Sequence, residues 1–266
     1  MIHLRTLGGL DLKGPDARHT RAVLVQPKRV ALLAYLALAR PRGYQRRDAL
    51  IALFWPDKDS EHARNALRQS IFALRQSLGT DIIDSRGDHD VGINWHAFSC
   101  DAEAFESALD AGRSIDALEL YRGDLLPGFF VGGVDLEHWI ESERARLRRL
   151  AAKEAWLLSD RAGASGNLAL AVQWARHVAA LSPDDEASVK RLVELLGKAG
   201  DRTEVARVYA SFRKRLFEEY QMEPSSDLEA AVARIVNSRD TDLTSAWTTA
   251  TSHRMSVARK DGAQQH

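Results

Sequence analysis

A single cysteine, Cys100, stands in a chain of 266 residues. One thiol cannot close an internal disulfide, and it excludes a zinc site built on several cysteines. Apolar runs are short as well. The longest, Val30 to Ala39, is interrupted by Tyr35 and closed by Arg40 and Pro41. A membrane span needs roughly 18–20 such residues. The opening stretch MIHLRTLGGL lacks the basic region and the longer apolar run of a signal peptide. Catalytic signatures are missing too: no His-Glu-x-x-His, no Gly-x-Ser-x-Gly elbow, no Gly-x-Gly-x-x-Gly and no Gly-rich Lys-Ser/Thr loop. Nine histidines are present, yet His62 and the Glu137-His138 pair have no partners at metal-ligand spacing. These absences predict a reduced, cytoplasmic protein that is not an enzyme, needs no cofactor and no metal, and does not enter a membrane. Hydrophobic residues at 45% and charged residues at 28% exclude a wholly disordered chain.

The formal net charge is zero, but it is unevenly laid out. Met1 to Thr80 holds 14 Lys and Arg against 6 Asp and Glu, a net of +8, and the remainder carries −8. Such an asymmetry suits one end that meets a polyanion, although a charged run is also the ordinary dress of a solvated face.

Ile2, Leu4 and Leu7 alternate with polar residues before the Gly8-Gly9 turn, and Leu10 and Leu12 continue the pattern, so short strands are expected at the amino terminus. Ala22 to Val25 reads as one more strand. Gln26-Pro27 opens a first helix, with Pro where its missing N–H costs little. A second helix runs from about Arg46 to Phe54. Ser60 is the expected cap of a third, with Glu61 in its first turn.

That third helix is the most informative segment. Ala63, Leu67, Ile71, Leu74 and Leu78 form one apolar stripe. Arg64, Arg68 and Arg75 lie on the other side, with Asn65 and Gln69 beside them. No Asp or Glu occurs between Glu61 and Asp81, whereas a merely soluble face would mix signs. Arg, Asn and Gln can form paired hydrogen bonds with purine edges in the major groove. Phe72 shares this face. It has two readings, contact with a thymine methyl and burial against a following hairpin, and the second is favoured. Ile82 and Ile83 pair with Val91 and Ile93 across Arg86-Gly87-Asp88, a hairpin signal. Strands, three helices and a hairpin give the order of a winged helix, with Arg86 at the wing tip.

The segment Leu53-Phe-Trp-Pro-Asp, then Ala63-Arg-Asn-Ala-Leu-Arg-Gln and Leu74-Arg-Gln-Ser-Leu-Gly79, resembles the OmpR-type winged helix of the Streptomyces antibiotic regulatory protein (SARP) family. The resemblance implies that the third helix is the recognition helix, with Arg64, Asn65, Arg68, Gln69 and Arg75 contacting DNA. Lys28, Arg29, Arg46 and Arg47, with Arg86 on the wing, are the candidate phosphate contacts.

Beyond Ser99 the strand signals stop. Short helices are expected at Asp101 to Leu109 and Ile115 to Tyr121, and a long one at Asp135 to Ser159 with Arg144, Arg146, Arg148, Arg149 and Lys153 on its outer face. That basic run reads as a solvated face in preference to a contact surface. The stretches beginning Gly166-Asn and Gly200-Asp align at 34 residues, the tetratricopeptide period, and Gly112-Arg falls in the same frame. Gly123-Asp-Leu-Leu-Pro-Gly-Phe129, Trp139-Ile-Glu-Ser-Glu-Arg144 and Tyr220-Gln-Met-Glu-Pro-Ser-Ser-Asp-Leu228 are similar to the bacterial transcriptional activator domain that follows the winged helix in SARP proteins.

The expected fold is therefore an α+β winged helix-turn-helix over 1–96, an all-α tetratricopeptide-like repeat domain over 99–236, and a disordered tail over 237–266. The expected function is sequence-specific, DNA-binding transcriptional regulation. The family resemblance implies activation, binding to double-stranded DNA at promoter repeats, contact with RNA polymerase, and a homodimer on DNA as one arrangement. The competing reading is a helical-repeat adaptor that binds protein and not DNA.

Overall fold

The computed structural model describes residues 1–238. The tail expected at 237–266 thus lies outside the described residues, apart from Asn237 and Ser238. The chain divides into two compact units, Met1–Arg161 and the residues from Ala162 onward.

In the first unit, β1 (Ile2–Arg5) pairs antiparallel with β2 (Asp11–Lys13) and parallel with β6 (Phe98–Cys100), in the order β2-β1-β6. Ile2, Leu4, Leu12, Phe98 and Cys100 face the core, as the period-2 alternation demands. Ala22 to Val25 is not the strand its apolar residues suggested. It closes helix α1 (Ala17–Leu24), whose N-cap Asp16 accepts from the Arg18 and His19 amides. Four apolar residues in a row carry no period, so the Asp16 cap upstream decides the matter.

Helix α2 (Pro27–Leu38) buries Val30 to Ala34 and Leu36 to Leu38. A helix that is apolar nearly all round belongs at the centre of a domain. Around it lie β3 (Gln45–Arg46), α3 (Arg47–Phe54), α4 (Ser60–Leu78), β4 (Ile83–Arg86) and β5 (Asp90–Ile93). The second sheet has the order β3-β5-β4, with Ile83 opposite Ile93 and Ser85 opposite Val91. This is a helix-turn-helix with a β-hairpin wing.

Helices α5 (Asp101–Asp110), α6 (Ser114–Leu120) and α7 (Val134–Ala164) follow. The Asp101 carboxylate joins the start of α5 to the segment just after β1: it accepts from the Thr6 amide and hydroxyl, both at 2.7 Å, and from the Leu7 amide at 2.9 Å. Burial pushes the Asp101 pKa up in spite of those bonds. Cys100 beside it is buried, and desolvation together with the Asp101 charge raises its thiol to about 12. It packs as a small apolar group and is not a nucleophile at neutral pH.

The second unit consists of α8 (Leu168–Leu181), α9 (Glu186–Lys198), α10 (Arg202–Tyr220) and α11 (Ser226–Asn237). The 34-residue period has a local cause. Gly166 and Gly200 follow α7 and α9 with φ of 79° and 78°, conformations that L side chains rarely adopt. The next residue bonds back five positions: Asn167 to the Ala162 carbonyl and Asp201 to that of Leu196. The same residue then caps the next helix, with the Asn167 side chain accepting from Leu170 and the Asp201 side chain from Glu204. Gly-Asn and Gly-Asp are therefore one stop-and-start device used twice, and Gly112-Arg113 repeats its first half between α5 and α6.

Candidate nucleic-acid interface

Helix α4 is capped by Asp59 and not, as expected, by Ser60. The Asp59 carboxylate accepts from the Glu61 and His62 amides, and its second oxygen lies 2.6 Å from His62 Nδ1. Both residues are good caps; only the chain's entry into the helix selects one. Ala63, Leu67, Ile71, Leu74 and Leu78 are buried, and Gly79 ends the helix with φ of 118°. Burying that stripe turns Arg64, Asn65, Arg68 and Gln69 outward, and all four are exposed. Among the described residues, neither Arg64 nor Arg68 makes an ion pair.

The other candidate residues divide by what already holds them. Arg75 is bound from within: its Nε and Nη2 donate to the Ile83 carbonyl at 3.2 and 2.7 Å, and Nη2 also reaches Ser85 Oγ at 3.1 Å. It fastens α4 to the wing. Lys28 Nζ donates to the Phe54 carbonyl at 2.9 Å and lies 5.7 Å from the centroid of the Trp55 ring. It satisfies a carbonyl in the last turn of α3, as cations near helix C-termini do. Arg29 is half-buried and Arg46 is exposed, 4.0 Å from Asp48. Arg86 stacks on Tyr44, its guanidinium carbon 4.2 Å from the ring centroid, so the tip of the wing offers an oriented cation.

Arg47 sits among like charges. Its Nη2 donates to Ser85 Oγ at 3.2 Å, the same hydroxyl that accepts from Arg75, while its Nε is buried and unpartnered. Burial lowers its pKa, and the nearby Arg75 and Arg68 charges lower it further; Asp88 opposes them. Arg47, Arg64 and Arg68 line one cleft with Asp48, Ile51, Leu67, Asp88 and His89. Cations that repel one another in a partly desolvated cleft gain most from an arriving anion.

Two further expectations are overturned. Phe72 is not buried against the hairpin: it is 65% exposed on the outer face of α4. Arg75 and Arg47 occupy the contact with β4 that Phe72 was expected to make. Nor is the basic run of α7 a solvated face. Arg144 donates to the carbonyls of Leu125 and Leu126, Arg146 bonds Glu143 and Glu106, and Arg148 bonds Asp124. Of that row, Arg149 and Lys153 are the exposed members. Sequence reading also missed Tyr44 and Ser85. Both act through a partner distant along the chain, which no local spacing announces.

No group of His, Cys, Asp or Glu among the described residues is placed to hold a metal ion. No helix of the described residues is long and apolar enough to cross a membrane.

A winged helix followed by helical repeats defines a class of transcription factors, and comparison with known proteins places the chain within it. The family described as bacterial transcriptional activator domain matches residues 99–236, more than half of the chain, so the chain belongs to that family of transcriptional activators, which are regulators and not enzymes. Among solved structures, that of Mycobacterium tuberculosis EmbR in complex with a low affinity phosphopeptide matches with a TM-score of 0.55 at 19% identity, covering 97% of this chain and 71% of the EmbR chain. At that identity the likeness is one of fold. No curated protein matches the chain.

Proposed function

We propose that this chain is a sequence-specific DNA-binding transcriptional regulator that activates by contacting RNA polymerase. One observation carries the reading: an exposed helix face of Arg64, Asn65, Arg68 and Gln69, free of acidic residues beyond Glu61, beside a cleft in which Arg47 and Arg68 repel one another. Helix α4 enters the major groove and reads bases through those four side chains. Arg29, Arg46, Arg47 and Arg86 hold phosphates on either side and set the register. Lys28 and Arg75, occupied within the protein, support the frame. The helical repeats meet the polymerase and a second copy bound at the next promoter repeat. Family membership supports these roles for the repeats, and it supports a cytoplasmic location. The adaptor reading lacks such an observation: a surface for a protein partner needs no acid-free Arg/Asn/Gln helix.

The test is fluorescence anisotropy of the full chain with a duplex selected from a random library, against a scrambled duplex, over a salt series. Four phosphate contacts predict a slope of about −4 in log K against log[salt]. Equal, shallow binding to both duplexes refutes the reading.

A further inference from the structure

We propose that Phe72 reads sequence directly, packing its ring against the C5-methyl group of a thymine in the major groove. The inference rests on the assignment of α4 as the groove-reading helix and names one further base for it to recognise.

An exposed aromatic residue is by itself ordinary. The position of this one is not. At about 100° per residue, Phe72 lies about 40° around the helix from Arg68 and about 20° from Asn65, with Gln76 about 40° beyond. It therefore sits in the middle of the outward arc. Its neighbours on that arc are cations and amides, all exposed, and the ring is 65% exposed among them. Arg75 and Arg47 fill the space toward the wing, so the hairpin leaves the ring uncovered.

What such a ring can recognise is narrow. In the major groove adenine, guanine and cytosine present hydrogen-bonding edges; thymine alone adds an apolar methyl group. A phenyl ring offers no hydrogen bond to the former, and it gains by excluding water from the latter. Phosphates are excluded as targets because the ring carries no charge. Phe72 follows Arg68 by four residues, about 6 Å along the axis at 1.5 Å per residue. With base pairs about 3.4 Å apart, the thymine falls about two steps from the base that Arg68 contacts.

Thymine-to-uracil replacement removes that methyl and nothing else. The full chain is used to select a duplex from a random library, and each thymine of the selected site is then replaced singly by uracil. One replacement is expected to weaken binding by the wild type about fourfold, the worth of one buried methyl group. Phe72→Ala binds the thymine duplex more weakly and is indifferent to that replacement, whereas Phe72→Leu, still apolar, keeps a part of the discrimination. Coincident thermal midpoints for the three proteins are expected, since the ring contributes little to the core. If Phe72→Ala retains the full uracil penalty, or if no uracil replacement affects the wild type, Phe72 does not read a thymine and the inference falls while the DNA-reading assignment stands. If the wild type selects no sequence from the library, both fall.

Discussion

Two helices of the first unit carry rows of arginine, and the rows do opposite work. On α4, Arg64 and Arg68 point outward with no carboxylate partner among the described residues. On α7, Arg144, Arg146 and Arg148 turn inward and each is engaged: by the Leu125 and Leu126 carbonyls, by Glu106 and Glu143, and by Asp124. The knot around Glu106 is the densest part. That carboxylate, 4% exposed, bonds Arg40, Arg42 and Arg146 together, tying the segment after α2 to α5 and α7. Arginine counts do not separate the two rows; the placement of acceptors does. Arg64 and Arg68 meet none among the described residues and are left for a ligand, whereas acids and carbonyls brought from elsewhere in the chain convert the others into staples.

The sharpest way to break the contrast is to remove the acid from the second row. Glu106→Gln is expected to cost about 3 kcal/mol, the low end for a broken buried pair, because Arg40 and Arg42 remain partly solvated. Urea unfolding checks the loss, and the DNA affinity of the protein that remains folded should hold. A pH series tests the same contact. Burial alone would raise the Glu106 carboxyl, but Arg146, then Arg42 and Arg40, outweigh it and hold its pKa below the usual value. A depressed acid pKa stabilises the fold above the unfolded value, about 4.3 for Glu, and that stability is lost as pH falls through the folded value. The wild-type urea midpoint should therefore drop in acid, and that of Glu106→Gln should drop less.

The first row should respond in the opposite sense. Arg68→Ala is expected to weaken specific DNA binding by about 1–3 kcal/mol while moving stability by less than about 0.5 kcal/mol, the usual range for surface changes. Anisotropy and thermal unfolding of the same preparation read both. A large loss of stability with unchanged binding would show that Arg68 belongs with the α7 row.

The smallest effect falls at the wing. Arg86→Ala removes one cation stacked on Tyr44 and should flatten the salt slope by about 1 while leaving sequence preference intact. A change of preferred sequence would move Arg86 into the base-reading set.

Much of this architecture is legible from local pattern. The apolar stripe of α4, the Pro27 entry to α2, the pairing of Ile83 with Ile93 and the 34-residue period each depend on residues within a few turns of one another. The differences arise where local pattern is ambiguous or where a partner lies far along the chain. Ala22 to Val25 was too short to show a period, Asp59 and Ser60 were equivalent caps, and Phe72 and the α7 arginines depended on partners remote in the chain. Glu106 and Asp124, which bind Arg146 and Arg148, lie 40 and 24 residues upstream.

By itself, then, the sequence determined which faces are apolar, where helices stop and start, and which helix presents arginine and amides without acid. Backbone hydrogen bonding and side-chain periodicity act over one or two turns, and they leave their mark in adjacent residues. Tertiary structure alone decided which cations are spent. Arg75 and Lys28 were drawn inward by carbonyls of Ile83 and Phe54, Arg47 was held beside Arg75 with an unpartnered Nε, and Phe72 was left in the open. A guanidinium goes to whichever acceptor the fold brings within reach, and that reach is set in space, not along the chain.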